Sequence, residues 1–206
     1  MSINFKEMRL TEKELNMFDV FCDVGVVPED YILNELSISK YKLDKFRKEK
    51  ILLRECVRFN RDYITVYRLS KNAKKRFVGN AYHSYSAWSD VRLMTVYKEL
   101  NKYERAEWYN RTVLLCFDYE DVIEEVKVKY PDLYKELSVF GFSCCNAMFK
   151  NDDGEIVFVA TKTGETHDDV RKENHAKAYQ ALHPDEKVRF LLIRNRGSKT
   201  VKEFWW

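Results

Sequence analysis

The stretch Ser37–Phe77, SISKYKLDKFRKEKILLRECVRFNRDYITVYRLSKNAKKRF, decides how the N-terminal part of this 206-residue chain is read. Ser39 stands where a helix cap would, because a serine hydroxyl can accept an amide proton of the first turn. Behind it, Leu43 and Phe46 lie three apart and share one helix face, while Tyr41, Lys45 and Lys48 share the other. Two strand-like runs follow, ILLRECVRF and YITVYRL, separated by Asn60-Arg61-Asp62. The second alternates, with Ile64, Val66 and Arg68 on one side and Tyr63, Thr65, Tyr67 and Leu69 on the other. SKNAKKRF then reads as a further helix with Ser70 as its cap.

Upstream, LTEKELNMFDVFCD carries Thr11 and, three residues on, Glu14, the spacing of a capping box. Leu15, Phe18, Val20, Phe21 and Cys22 supply a wide apolar face. Gly25 ends that helix, and Pro28 opens a second, PEDYILNEL, from a first-turn position. Helix, helix, helix, hairpin, helix is the order of a winged helix-turn-helix. Thr11 to about Val78 resembles that class in detail. LDKFRKEKILL is similar to the end of its recognition helix, with Lys50 standing where glycine is usual. YRLSKNAKKRF is similar to the exit from its wing.

The net charge of +3 conceals a strong asymmetry. Ser37 to Asn80 holds 14 Lys+Arg against 4 Asp+Glu, or +10, leaving 22 basic and 29 acidic residues, or −7, elsewhere. Such a concentration of one sign is the footprint of a polyanion partner, here double-stranded DNA. Within the winged-helix reading, the first turns of the helix present Lys40, Tyr41, Lys42 and Lys45 to a groove, with Lys48 behind them. Arg58 and Arg61, around Asn60, form a basic wing tip for the flanking backbone. Most of these cations would position the protein on phosphates, and one or two would read bases.

The boundary is expected at Gly79-Asn80, giving 1–79 as the winged helix and 80–206 as a small α/β domain; the fold class is α+β. WSDVRLMTVYKELNK is an amphipathic helix with Val91, Leu93, Met94, Tyr97 and Leu100 inward and Ser86 or Ser89 as its cap. Val113 to Phe117 is apolar and of strand length, and EDVIEEVKVKYPDLYKEL reads as a helix broken near Tyr130-Pro131. CCNAMFKNDDGEIVFVATK, Cys144–Lys162, reads as a hairpin turning at Asp152-Asp153-Gly154. THDDVRKENHAKAYQAL is the next helix, before strands KVRFLLIRN and TVKEFWW.

This second half resembles the PD-(D/E)XK nuclease superfamily, and the whole chain resembles the replication-relaxation family of plasmid and mobile-element proteins. The resemblance rests on AYHSYSAWSDVRL, on NAMFKNDDGEIVFVATKTGE and on KENHAKAYQAL. It implies a winged helix followed by a nuclease-like domain. The nuclease pattern needs two acids ahead of its lysine, and here Asn146 and Ala160 stand in their places, leaving Lys162. Losing both carboxylates removes the attraction for a divalent ion, so Asn146 and Lys162 are vestigial candidates rather than catalysts. Asp152, Asp153 and Glu155 are expected at the turn, facing outward. No metal site and no cofactor are expected.

Other classes are weaker. The five cysteines form no C-x-x-C pair and the four histidines no metal-binding spacing, so reduced, mostly buried thiols are expected. Cys145 with His175 would suit a thiol hydrolase, yet no flanking pattern supports it, and His83 reads as a packed histidine. No phosphate-binding loop and no membrane-spanning run is present. The chain is therefore expected to be soluble and cytoplasmic, with no membrane partner. The reading is a sequence-specific DNA-binding protein of a mobile element, acting in replication, transfer or regulation without catalysis of its own. Its candidate partners beyond DNA are a replication or transfer enzyme and, on two half-sites, a second copy, with Phe204-Trp205-Trp206 as a candidate contact. The alternatives are an endonuclease borrowing acids such as Asp90 or Glu107, and a repressor with a sensing C-terminal domain.

Overall fold

The computed structural model describes residues 9–59, 61–77, 86–110, 113–162, 166–194 and 199–204. The fold is mixed α+β, and it divides into two compact units, Met1–Met94 and Thr95–Trp206. The boundary expected at Gly79-Asn80 lies outside the described residues, as do His83, Asn60, Trp205 and Trp206.

The first unit opens with α1 (Glu12–Val24), whose capping box forms as its residues require: Thr11 Oγ1 accepts the Glu14 N–H, and Glu14 Oε2 accepts the Thr11 N–H. Gly25 ends the helix at φ 79°, a left-handed conformation open to glycine. The chain then makes a three-residue strand absent from the sequence reading, β1 (Val26–Pro28), before α2 (Glu29–Asn34). Pro28 is thus the residue before the helix rather than in its first turn. After α3 (Lys40–Lys48) come β2 (Leu52–Phe59), β3 (Asp62–Leu69) and α4 (Lys71–Phe77). The sheet order is β1-β3-β2, all antiparallel, and the hairpin register closes at Phe59↔Asp62. Met17, Phe21, Val24, Ile32, Leu43, Phe46 and Tyr67 fill the core, with Phe18 edge-on to Phe46 at 5.5 Å.

The division between units falls inside α5 (Ala87–Tyr97), which the Ser86 hydroxyl caps by accepting the Ser89 N–H. Its apolar stripe is buried as expected, and so are Asp90 and Arg92.

In the second unit α6 (Lys102–Ala106), β4 (Tyr109–Asn110), α7 (Val113–Lys129) and α8 (Pro131–Ser138) precede β5 (Ala147–Lys150) and β6 (Ile156–Thr161). The strand expected at Val113–Phe117 is instead the first turn and a half of α7. A short apolar run fits either state, and here the residues C-terminal to it decide. Val122 and Val126 repeat at helical spacing and pack with Leu137 and Ala178. Glu124 with Lys127 and Glu125 with Lys129 pair along the outer face. Then α9 (Asp168–Leu182) crosses over to β7 (Val188–Ile193), and β8 (Lys199–Phe204) completes the sheet β4-β5-β6-β7-β8. Within that sheet only β6 and β7 are parallel, the pair that a crossover helix must join. Cys145, Phe158, Ala160, Ala176, Phe190 and Leu192 pack between the sheet and α9. Among the described residues no helix is long and apolar enough to cross a membrane.

Candidate nucleic-acid interface

Ser39 starts α3 by accepting the Lys42 N–H, and burial of Leu43 and Phe46 fixes which face looks outward. Tyr41 is 79% exposed, and Lys45 and Lys48 share its side. The helix ends in two bonds that wrap its last turn. The Lys50 N–H reaches Arg47 O at 2.9 Å and the Ile51 N–H reaches Phe46 O at 2.9 Å. This closure needs a left-handed residue between helix and strand, and Lys50 occupies it at φ 56°. The place where glycine was expected is therefore a place where glycine would be favoured, and the chain puts a cation there.

The cations do not stand alike. Lys40, expected at the groove, lies 2.5 Å from Glu29, which also accepts the Tyr67 hydroxyl at 2.9 Å. Lys42 lies 2.6 Å from the buried Glu14. Burial would raise the Glu14 carboxyl, but the Lys42 ammonium and the Thr11 N–H hold it below its ordinary value. Glu29 is likewise lowered, against its burial, by Lys40, Tyr67 and Arg54. These two lysines thus lock α3 to α1 and α2, and a phosphate would have to compete with a carboxylate for each. Lys45 is loosely paired with Glu49 at 3.8 Å, and Arg47 with Asp44 at 3.4 Å. Among the described residues, no carboxylate pairs with Lys48, Lys50, Arg58 or Arg61.

Three cations outside the expected set are gathered by the fold. Arg47, Lys50 and Arg54 line one cleft of about 640 Å³ between the end of α3 and β2, where Glu55 is the one acid among the described lining residues. They belong to the basic stretch, but Arg54 read as one residue of a strand and Lys50 as a missing glycine. Glu55 is itself engaged by Arg68 at 2.5 Å. Arg58 sits opposite Tyr63 near the hairpin end, and Arg61 lies at the turn. Arg58 lies six residue steps along the strand from Leu52, which carries the basic tip about 20 Å from the base of the hairpin. The unit therefore offers cations at two separated places, along α3 with its following turn and at the hairpin end.

In the second unit the expected remnant of a nuclease site is a structural network. Asn146 is buried, and its Oδ1 accepts the Thr161 N–H at 2.9 Å and the Thr161 hydroxyl at 3.4 Å. Ala160 is buried in the core, and Lys162 stands 3.7 Å from Asp169. On the other side of Thr161, its carbonyl accepts Lys172 Nζ at 3.1 Å, and Lys172 also binds Asp168 at 2.7 Å. Lys172 is only 1% exposed, so this is an ion pair inside the domain, with no mark in the sequence. Glu155, expected to face outward, is buried, bonded to Asn151 and 3.1 Å from Arg189. The strand turning at Asp152-Asp153 carries it inward. Cys145 and His175 do meet, but through the Cys145 N–H donating to His175 Nδ1 at 3.3 Å; the thiol itself lies against Lys172 O. Cys144 and Cys145 are buried, Cys22 is half-buried and Cys56 is exposed, and all four are free thiols. Among the described residues no three His, Cys, Asp or Glu side chains are arranged to hold a metal ion.

Comparison with protein-family models, with curated proteins and with solved structures finds no match to this chain.

Proposed function

We propose that the chain is a sequence-specific double-stranded DNA-binding protein whose first unit is a winged helix-turn-helix. In this reading α3 lies in the major groove, with Tyr41, Lys45 and Lys48 toward the DNA. The β2–β3 hairpin is the wing, and Arg58 and Arg61 touch the flanking backbone. The observation that carries the proposal is the set of exposed cations without carboxylate partners among the described residues, Lys48, Lys50, Arg58 and Arg61. They stand on an element order α1-β1-α2-α3-β2-β3 with sheet order β1-β3-β2. Lys40 and Lys42 act from behind by holding α3 in place. Cations spent on internal carboxylates release few counterions, whereas unpaired ones release them on binding phosphate.

The second unit, in the same proposal, is a nuclease-like domain that has exchanged metal chemistry for structure. Asn146 is committed to Thr161, and Ala160 offers no ligand atom. Its role is contact with a replication or transfer enzyme of a mobile element, or with a second copy on paired half-sites. Selection of bound duplexes from a random-sequence library tests the binding claim. A single enriched motif supports it, and recovery of unenriched sequence contradicts it. Supercoiled DNA incubated with magnesium or manganese should stay uncut; cleavage that vanishes in Lys162→Ala would overturn the non-catalytic reading.

A further inference from the structure

The second unit carries a concave feature that includes neither Asn146 nor Lys162. A cleft of about 510 Å³, within the size range of small-molecule sites, opens over β5 and β6 and is flanked by α7 and α9. Its floor is apolar, from Met148, Ile156 and Phe158. Its rim is acidic. Asp118, Asp121 and Glu125 recur at i, i+3 and i+7 on α7, and Glu107 joins them at the end of α6. Glu125 is paired with Lys129, while among the described residues no cation pairs with Glu107, Asp118 or Asp121. Lys150 is the only lysine or arginine among the described lining residues.

The α9 wall is aromatic. Tyr179 stands edge-on to Phe158 at 5.2 Å and stacks on His183 at 4.3 Å, with its hydroxyl donated to Glu186. Tyr109, exposed on β4, faces the same space. His175, 1% exposed, lines the cleft from α9. Its Nδ1 accepts the Cys145 N–H, so the ring proton is on Nε2, and among the described residues that N–H has no hydrogen-bond acceptor. Burial depresses this imidazole to about 3, leaving it neutral and a donor at physiological pH.

A negative rim beside an aromatic wall attracts a positive charge twice, through the carboxylates and through the aromatic rings. The carboxylates and imidazoles do not converge on a point where a bare metal ion could sit. They suit a charge carried on a larger body. The His175 Nε2–H, on a residue that lines the cleft, can donate to an acceptor atom deeper in the guest. We propose that this cleft binds a small organic cation: an ammonium or guanidinium group on an apolar or aromatic body that also bears a hydrogen-bond acceptor.

Tyramine and its neutral counterpart 4-(2-hydroxyethyl)phenol are suitable probes, titrated into the full chain and followed by amide and imidazole NMR shifts. Tyramine should give saturable shifts at His175 and Tyr179 with Kd below about 1 mM. The neutral analogue should bind at least ~10-fold more weakly, because it forfeits both attractions. Asp118→Asn with Asp121→Asn, both solvent-exposed positions, should leave the melting temperature unchanged and weaken tyramine at least ~10-fold. Equal binding of the neutral analogue, absence of saturation, an unaffected double variant or displacement of tyramine by magnesium would each overturn the proposal. DNA affinity rests on residues of the first unit, so a failure here and a failure of the DNA-binding reading are distinguishable.

Discussion

Lys42 and Lys48 lie six residues apart on one helix and are both lysines in a basic run, yet they have different tasks. Lys42 neutralises the buried Glu14 at 2.6 Å, while Lys48 projects to solvent. Removing Lys42 leaves a buried carboxylate short of its partner. Lys42→Ala should therefore lower unfolding stability by about 1–3 kcal/mol in urea titration. Lys48→Ala should change stability by less than about 0.5 kcal/mol while weakening DNA binding. His175 makes a sharper residue-level claim. Its folded value, about 3, lies below the ordinary 6.5, so between those limits the unfolded chain binds the extra proton. Stability contributed by the neutral ring is complete above 6.5 and falls as pH drops, by up to about 1.4 kcal/mol per pH unit. The His175 Cε1–H resonance should keep its neutral position to below about pH 4 by NMR. Titration near 6.5 would contradict the buried-neutral account.

Helices and strands were legible where caps and periodicity agreed. Thr11, Ser39 and Ser70 each cap the helix they announced, and Leu43 with Phe46 turned the expected face inward. Legibility failed where local pattern was ambiguous or tertiary pairing decided. Val113–Phe117 could be strand or helix until Val122 and Val126 found Leu137. Val26–Pro28 became a strand only because β3, far along the chain, offered an edge. The turn after α3 lies between these cases: the sequence pattern asked for glycine, and Lys50 accepts the left-handed backbone. A side chain there costs on the order of 1 kcal/mol, partly offset by the freedom glycine would lose on folding. Lys50→Gly should thus raise unfolding stability by up to about 1 kcal/mol and at the same time reduce DNA affinity. A loss of stability would contradict the wrapped helix end.

Across the chain, charge was the property read most directly from composition, and its local distribution the least. The +10 of Ser37–Asn80 is real, but counting could not tell that Lys40 and Lys42 are spent on Glu29 and Glu14. Nor could it tell that Arg47, Lys50 and Arg54 converge on one cleft. Those carboxylates come from helices outside the basic run, and nothing along the sequence marks the pairing. In the second unit, the departures from the nuclease pattern at Asn146 and Ala160 were visible as letters. The network through Thr161, Lys172 and Asp168 was not, because it joins a strand end to the helix after it. The central claim is that unpaired cations of the first unit meet DNA phosphates. The direct test is the affinity of the full chain for a duplex, by fluorescence anisotropy, across a series of salt concentrations. Lys48→Ala combined with Arg61→Ala should weaken binding and reduce the slope of log affinity against log salt by about 1.8, or about 0.9 for each phosphate no longer neutralised. An unchanged affinity and an unchanged slope would contradict the assignment of this surface to DNA.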